Sequence, residues 1–264
     1  MSTESVSLEF RTPPVNRHIL GMRVDFSSYE DAVKRVLRAA ENREPFWLCP
    51  ACVQTVVEAH RAPSFSAVME TASLVTTDGM PLVWALWLMG IRNASRVYGP
   101  TLTERILEVV AISGVPVGFY GSSPESLEKL QVRLLERWPR LNVAYAYSPP
   151  YRPLTPEEDC EIIKRIQASG TRILFVSLGC PKHEIWAWSH YRILKIPILA
   201  VGAAFDFMAG VKPQAPAWMQ SIGLEWFFRL LSEPRRLWRR YLLMNPVFVL
   251  LLVAQLTGLR RFNR

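Results

Sequence analysis

Asp78 is the residue whose type and setting most directly suggest chemistry. It stands in the run Thr76-Thr77-Asp78-Gly79, just past a short buried-looking segment and just before a helix opened by Pro81. A carboxylate held at a strand end over a cleft can take a proton from an attacking hydroxyl. The same aspartate could equally cap the following helix. Asp206, in GAAFDFMAG, invites the same two readings, and its phenylalanine neighbours favour a partly buried structural carboxylate. A third polar cluster, Lys182-His183-Glu184, follows the apolar run Ile173 to Ser177 and a turn carrying Gly179 and Pro181. Strand, glycine turn and helix start make a cradle for phosphate, because free N–H groups and the helix dipole face the turn. An ordinary solvated tip is the competing reading. Cys49-Pro50-Ala51-Cys52 after a strand has the thioredoxin spacing. Zinc is disfavoured there, since a structural site wants four ligands and Cys160 and Cys180 are isolated.

These residues need elements to position them. Residues 17–23 read as a first strand, with Gly21 in a turn. Residues 28–41 form a helix: Ser28 caps, Asp31 is the capping-box acid, and Ala32, Val33, Val36, Leu37 and Ala40 recur at helical spacing. Strands are expected at 46–48, 73–76, 115–120, 142–146, 173–177 and 196–201. Helices are expected at 53–60, 81–89, 102–113, 125–137, 156–168 and from Glu184 onward, with a turn over 202–210. Such alternation predicts an α/β fold, a largely parallel Rossmann-like sheet flanked by helices. Ligands of such sheets sit at the carboxyl ends of strands, where Asp78, Gly121, Lys182 and Asp206 all fall. No GxGxxG or GxxxxGK[ST] pattern supports a dinucleotide or P-loop site.

The chain of 264 residues, 50% hydrophobic and 20% charged, is long enough for a substantial core. Its four cysteines do not make a disulfide framework, and its start lacks the basic-then-apolar pattern of a secretory signal, so a reducing cytosolic setting is expected. The net charge of +8 is concentrated at one end. From Arg229 to Arg264 there are eight arginines and one glutamate. A basic tail on a nearly neutral body points to an anionic surface, phospholipid or nucleic acid.

The tail favours lipid. Arg235, Arg236, Arg239 and Arg240 fall on one arc of a helix, with Leu237, Trp238 and Tyr241 opposite. That is the pattern of an interfacial helix with an aromatic anchor. Residues 241–259 carry no charge, close to the lower limit for a spanning helix, but Asn245-Pro246 interrupts them and arginines flank both ends. A monotopic helix pair is preferred to a span. Nucleic-acid binding would instead spread basic and aromatic residues over a folded platform. The expected organisation is a flexible arm over 1–16, a catalytic domain over 17–228 and a membrane-associating appendage over 229–264. The body is expected to fold without the tail, because its strands and glycine turns all precede Glu225.

TTDG at 76–79, RVYGP at 96–100, LGCPKHE at 178–184, GAAFDFMAG at 202–210 and APAWMQSIGLEWFFRLLSEPRRLWRRYL at 215–242 together resemble the WecG/TagA/CpsF glycosyltransferase family. The resemblance runs from about residue 20 to the end. It implies an inverting, membrane-associated enzyme at the cytoplasmic face. Such an enzyme moves a sugar from a UDP-sugar to a polyprenyl-diphosphate-linked saccharide, for wall polymer, capsule or exopolysaccharide, with no cofactor or required metal. Carried over by position, Asp78 becomes the general base, flanked by Thr77 and Gly79, and Arg96 holds a phosphate. Gly121, Lys182, His183, Glu184 and Asp206 are expected to bind substrate, as are Thr77 and Gly79, with His183 on the donor sugar or a phosphate. Arg229, Arg235, Arg236, Arg239, Arg240 and Trp238 fall to the membrane and the lipid diphosphate. His183 stands where the family has glutamine, Cys49 and Ala51 where it often has threonine and asparagine, Thr101 where it has aspartate, and Gln214 where it has arginine. The competing readings are a membrane-binding adaptor without catalysis and a thiol oxidoreductase using Cys49 and Cys52. The implied partners are the UDP-sugar, the lipid-linked saccharide and an anionic membrane, with no nucleic acid; homo-oligomerisation stays open.

Overall fold

In the computed structural model, residues 14–262 are described. Six strands form one sheet: β3 (Phe46–Ala51), β4 (Leu74–Thr77), β5 (Val117–Gly121), β6 (Val143–Tyr147), β7 (Ile173–Ser177) and β8 (Pro197–Ala200), in the order β4-β3-β8-β7-β5-β6. Every neighbouring pair is parallel. The near-continuous apolar strands follow from this, because a parallel sheet is covered on both faces. Alternate residues serve opposite cores. Trp47, Cys49, Leu174, Val176 and Ile198 face one, while Leu48, Phe119, Ile173, Phe175 and Leu199 face the other.

The first face is covered by α2 (Val53–Arg61), α3 (Pro63–Glu70), α4 (Met80–Leu88), α7 (Pro156–Ala168) and α8 (Lys182–Leu194). The second is covered by α1 (Tyr29–Asn42), α5 (Gly99–Ser113), α6 (Pro124–Arg137) and the short α9 (Ala204–Met208). Since β3 runs on into α2 on one face and its neighbour β8 into α9 on the other, a crevice opens between their carboxyl ends, as at a topological switch point.

Several elements depart from the sequence expectation. Residues 17–23 are not one strand but a hairpin, β1 (Asn16–Ile19) with β2 (Met22–Asp25), closed by Leu20 and Gly21 at φ 52 and 90. Two positive φ values are what a tight primed turn demands, and leucine there is a poor signal of it. Residues 63–70, for which no element is expected, form the helix α3, which starts at Pro63 without a side-chain cap. The loop over 202–210 contains α9. Cys49 and Pro50 belong to β3, which runs on to Ala51.

After α10 (Ala217–Ser221) and α11 (Glu225–Ser232) the chain enters α12 (Pro234–Arg239), a π-helical turn (Arg240–Met244) and α13 (Asn245–Leu256). Asn245-Pro246 does not interrupt this helix. Pro246 lacks an N–H and crowds the preceding turn, and the wider π turn just before it absorbs the mismatch. The helix Pro234–Leu256 is long and apolar enough to cross a membrane by length and composition alone. One of its faces is nonetheless docked on the body. Leu237, Tyr241, Phe248 and Leu252 are buried. The Gln255 amide accepts the N–H of Leu20 at 2.9 Å and donates to the His18 carbonyl at 2.7 Å. The tail thus shares the packing of the body, and its removal would open the core that Phe248 and Leu252 fill.

Candidate active site

The end of β4 fixes Asp78. Its N–H donates to the Ala51 carbonyl at 2.8 Å, continuing the ladder one residue beyond the strand. The loop after α4 then folds back along β4: Val97 N–H reaches the Thr77 carbonyl at 2.9 Å, and the Thr77 hydroxyl donates to the Ser95 carbonyl at 2.7 Å. This return brings Gly99, the first residue of α5, to Asp78, whose Oδ1 accepts its N–H at 2.7 Å. The carboxylate therefore does cap a helix, but α5 rather than the adjacent α4. Among the described residues Oδ2 takes no hydrogen bond, and Asp78 lines a hollow. Burial pushes the Asp78 carboxyl up to about 6, opposed by the neighbouring Arg96 charge and the Gly99 N–H.

Arg96 locks the loop to the tail. Its Nε donates to the Asp78 carbonyl, and its Nη2 pairs with Glu225 of α11. Its guanidinium lies 4.0 Å from the centre of the Tyr98 ring. The Tyr98 hydroxyl donates to Glu225 Oε1 at 2.9 Å, so both carboxylate oxygens of Glu225 are engaged. Burial pulls the Arg96 guanidinium down, but Asp78 and Glu225 more than offset it and leave it raised. The tail supplies two more cations. Arg240 Nη2 lies 3.3 Å from the Cys52 sulfur, and Arg229 lies over the Phe207 ring at 5.3 Å. Three arginines and two carboxylates thus line one hollow roofed by the tail, together with Gly79 and Trp226.

A second polar group sits at the β5 end. Gly121 has φ 109, and a Cβ there would lie 2.3 Å from the Ser177 carbonyl oxygen, so only glycine fits. Asp206 accepts the Ser122 hydroxyl at 2.9 Å and pairs with Lys212 at 2.6 Å. Burial pushes its carboxyl up, but Lys212 and Ser122 bring it below the usual range. Lys212 also lies 3.7 Å from Glu233 at the end of α11. Arg229 lines the Asp78 hollow and also a second one that Lys212 and Glu233 line, and so stands between the two groups.

The strand-turn-helix cradle is more closed than its sequence suggests. His183 and Glu184 are buried, with His183 Nε2 3.1 Å from Glu184 Oε1 and Cys49 Sγ 3.9 Å from the same oxygen. Burial pushes the Glu184 carboxyl up, yet the His183 charge and hydrogen bond bring it net below normal. His183 Nδ1 and Glu184 Oε2 have no partner among the described residues. Lys182 points elsewhere, 5.1 Å from the centre of the Tyr151 ring. Thr77 is buried with its hydroxyl engaged on the loop.

The arginine arc of the tail is divided. Arg240 turns into the hollow, whereas Arg235, Arg236, Arg239 and Trp238 stay at the surface. Glu225, Tyr98 and Cys52 join the site without having been singled out for it. Glu225 lies inside the quoted 215–242 motif, but no spacing rule connects it to Asp78.

The thiol pair has poor geometry for redox work. Cys49 lies within a strand, and burial pushes its thiol well above the ordinary value, so it holds little nucleophilic thiolate. Among the described residues no group of three or more His, Cys, Asp or Glu is arranged to hold a metal ion.

A family model described as "Glycosyl transferase WecG/TagA/CpsF family" matches residues 17–262, nearly the whole chain. The match takes in the Asp78 strand end, the buried cradle, the Asp206 group and the tail that roofs the hollow. Members are glycosyltransferases of cell-wall polymer synthesis, which in general use a sugar-nucleotide donor and a lipid-linked acceptor. With the match covering nearly the whole chain, the chain belongs to the glycosyl transferase WecG/TagA/CpsF family.

Proposed function

We propose that the protein is an inverting glycosyltransferase moving a hexosyl or N-acetylhexosaminyl group from a UDP-sugar to a polyprenyl-diphosphate-linked saccharide, with Asp78 as general base. The observation that carries this reading is the Asp78 carboxylate. It is fixed through one oxygen by Gly99, has the other free of donors among the described residues, and shares its hollow with Arg96, Arg229 and Arg240. In the reaction, Asp78 takes the proton of the acceptor hydroxyl as that oxygen bonds to the anomeric carbon. The bond from this carbon to the diphosphate oxygen breaks on the opposite side, and UDP leaves with the electron pair. Charge grows on the diphosphate, where fixed cations stabilise the transition state more than the ground state. Arg96, Arg229 and Arg240 supply that charge without a bound metal or cofactor.

The donor reading rests on the carboxyl ends of β5, β7 and β8. Gly121, Ser122 and Asp206 offer hydrogen-bonding groups for a nucleoside, and His183 packs against Gly202 beside them, its Cε1 3.3 Å from where a Cβ would stand. Glu184 holds His183 through its Oε1, 3.1 Å from His183 Nε2. At the cytoplasmic face, the exposed Arg235, Arg236, Arg239 and Trp238 and the outer apolar face of α13 would hold the enzyme on anionic lipid. The docked inner face of α13 favours a helix lying on the membrane over one crossing it. A non-catalytic adaptor would need the Gly99 cap of Asp78 but not a second carboxylate oxygen turned to a hollow that three arginines line.

The test is a panel of UDP-sugars incubated with the protein and membrane lipid extract, scored by UDP release. Release with one donor, dependent on the extract, supports the reading. No release with any donor would exclude it.

A further inference from the structure

We infer that the outer face of α4 (Met80–Leu88) is a second bilayer contact, made by the catalytic body itself next to the mouth of the Asp78 hollow. The inference rests on the membrane-associated reading above and adds a surface outside the tail.

From Met80 to Met89 the sequence is MPLVWALWLM, without one polar or charged side chain. A helix apolar all round is buried on all sides or meets an apolar medium. This one buries only one side, with Leu82, Val83, Ala85 and Leu86 in the core. Trp84, Trp87 and Leu88, at i, i+3 and i+4, form an outer stripe, 40%, 42% and 66% exposed. The Trp87 indole N–H already donates to the Ala94 carbonyl at 2.7 Å, so no polar partner is needed to satisfy it.

Charge and continuity select a lipid surface as the occupant. The chain from Gly79 to Thr103 holds Arg92 and Arg96 and no acidic residue, and Arg92 is exposed just beyond the helix. The Arg17 guanidinium caps the same end, donating to the Met89 carbonyl at 3.1 Å. Indoles beside arginines on an apolar face match the interfacial belt of an anionic membrane. The stripe also runs on into the tail region. A Cβ on Gly223 would lie 2.7 Å from the Trp84 ring, and the segment around it exposes Trp218, Ile222 and Leu224. Met80, Pro81 and Gly223 line the Asp78 hollow, so its rim and this apolar face are one surface. A lipid-linked acceptor would then reach the base without leaving the membrane.

The test uses the full chain carrying Cys160→Ser, which removes the exposed native thiol. An environment-sensitive fluorophore is attached at Leu88→Cys and, as control, at Ile112→Cys. Ile112 is 90% exposed on α5, across the sheet from α4. With phosphatidylglycerol/phosphatidylethanolamine vesicles, the emission at 88 should shift to the blue and that at 112 should not. Leu88→Glu should weaken vesicle partitioning about tenfold. A label at 88 that stays water-like on protein floating with the vesicles overturns the inference. So does a concentration-dependent shift without lipid, which would mean that a second copy of the chain covers the stripe. UDP release with a water-soluble short-chain acceptor, measured on the same preparations, separates the two readings: its absence defeats the transferase assignment, while the shift at 88 decides the contact.

Discussion

Arg240 Nη2 lies 3.3 Å from the sulfur of Cys52, so a tail arginine sits at the amino end of α2 and inside the hollow of Asp78. The contact joins residues 188 positions apart. It also separates Arg240 from Arg239, which is exposed beside it. Adjacent arginines should therefore fail in different assays. Arg240→Ala should lower kcat with a water-soluble acceptor by roughly two orders of magnitude, as expected for a fixed donor to a leaving group. Arg239→Ala should leave that rate within about twofold and weaken binding to anionic vesicles. Steady-state kinetics and liposome flotation on both variants check the division.

Asp78→Asn should cut turnover by roughly two or more orders of magnitude while UDP binding persists. Its stability should move the other way. The folded carboxyl is raised from 3.8 to about 6 by burial, so Asp78 favours the folded state most below pH 4, and this contribution is lost as pH rises through 6. Asparagine does not titrate. The wild-type melting midpoint should fall relative to the variant between pH 4 and 7, as followed by circular dichroism.

The same pKa governs the rate. A general base works as the carboxylate, so kcat/KM should rise with pH to half its plateau near pH 6. A plateau reaching unchanged below pH 5 would remove Asp78 from the role.

His183→Gln should retain much of the activity, because an amide can still donate to Glu184. His183→Ala leaves a buried carboxylate without its partner, a loss of about 3–5 kcal/mol in comparable sites. Urea unfolding should rank wild type, Gln and Ala in that order. Equal loss of turnover in both, with one limb missing from the pH profile, would instead assign proton transfer to the histidine.

Turnover should withstand a chelator. If Arg96, Arg229 and Arg240, which line one hollow, carry the leaving diphosphate as proposed, activity in excess EDTA should stay within about twofold of the untreated rate. A loss restored only by magnesium or manganese would give that charge to a metal.

Local pattern was enough to read the sheet. Apolar runs such as ILFVS, Ser28 as a helix cap and the glycine turns are short-range signals, and strand, helix and cap follow them with shifts of a few residues at the ends. The position of Asp78 at a strand end was legible for the same reason. Other features were decided only by tertiary contact. Helical spacing put Arg235, Arg236, Arg239 and Arg240 on one arc, but it cannot say which part of the arc meets the body; the docking of Leu237, Tyr241 and Phe248 turned Arg240 inward. Composition made His183-Glu184 a polar tip, yet packing under Gly202 and beside Cys49 buried both. Glu225 meets Arg96 and Tyr98 across 129 and 127 residues. Periodicity records which side of an element is apolar, whereas the partner of that side is chosen by the whole chain, through burial that no single segment can complete alone.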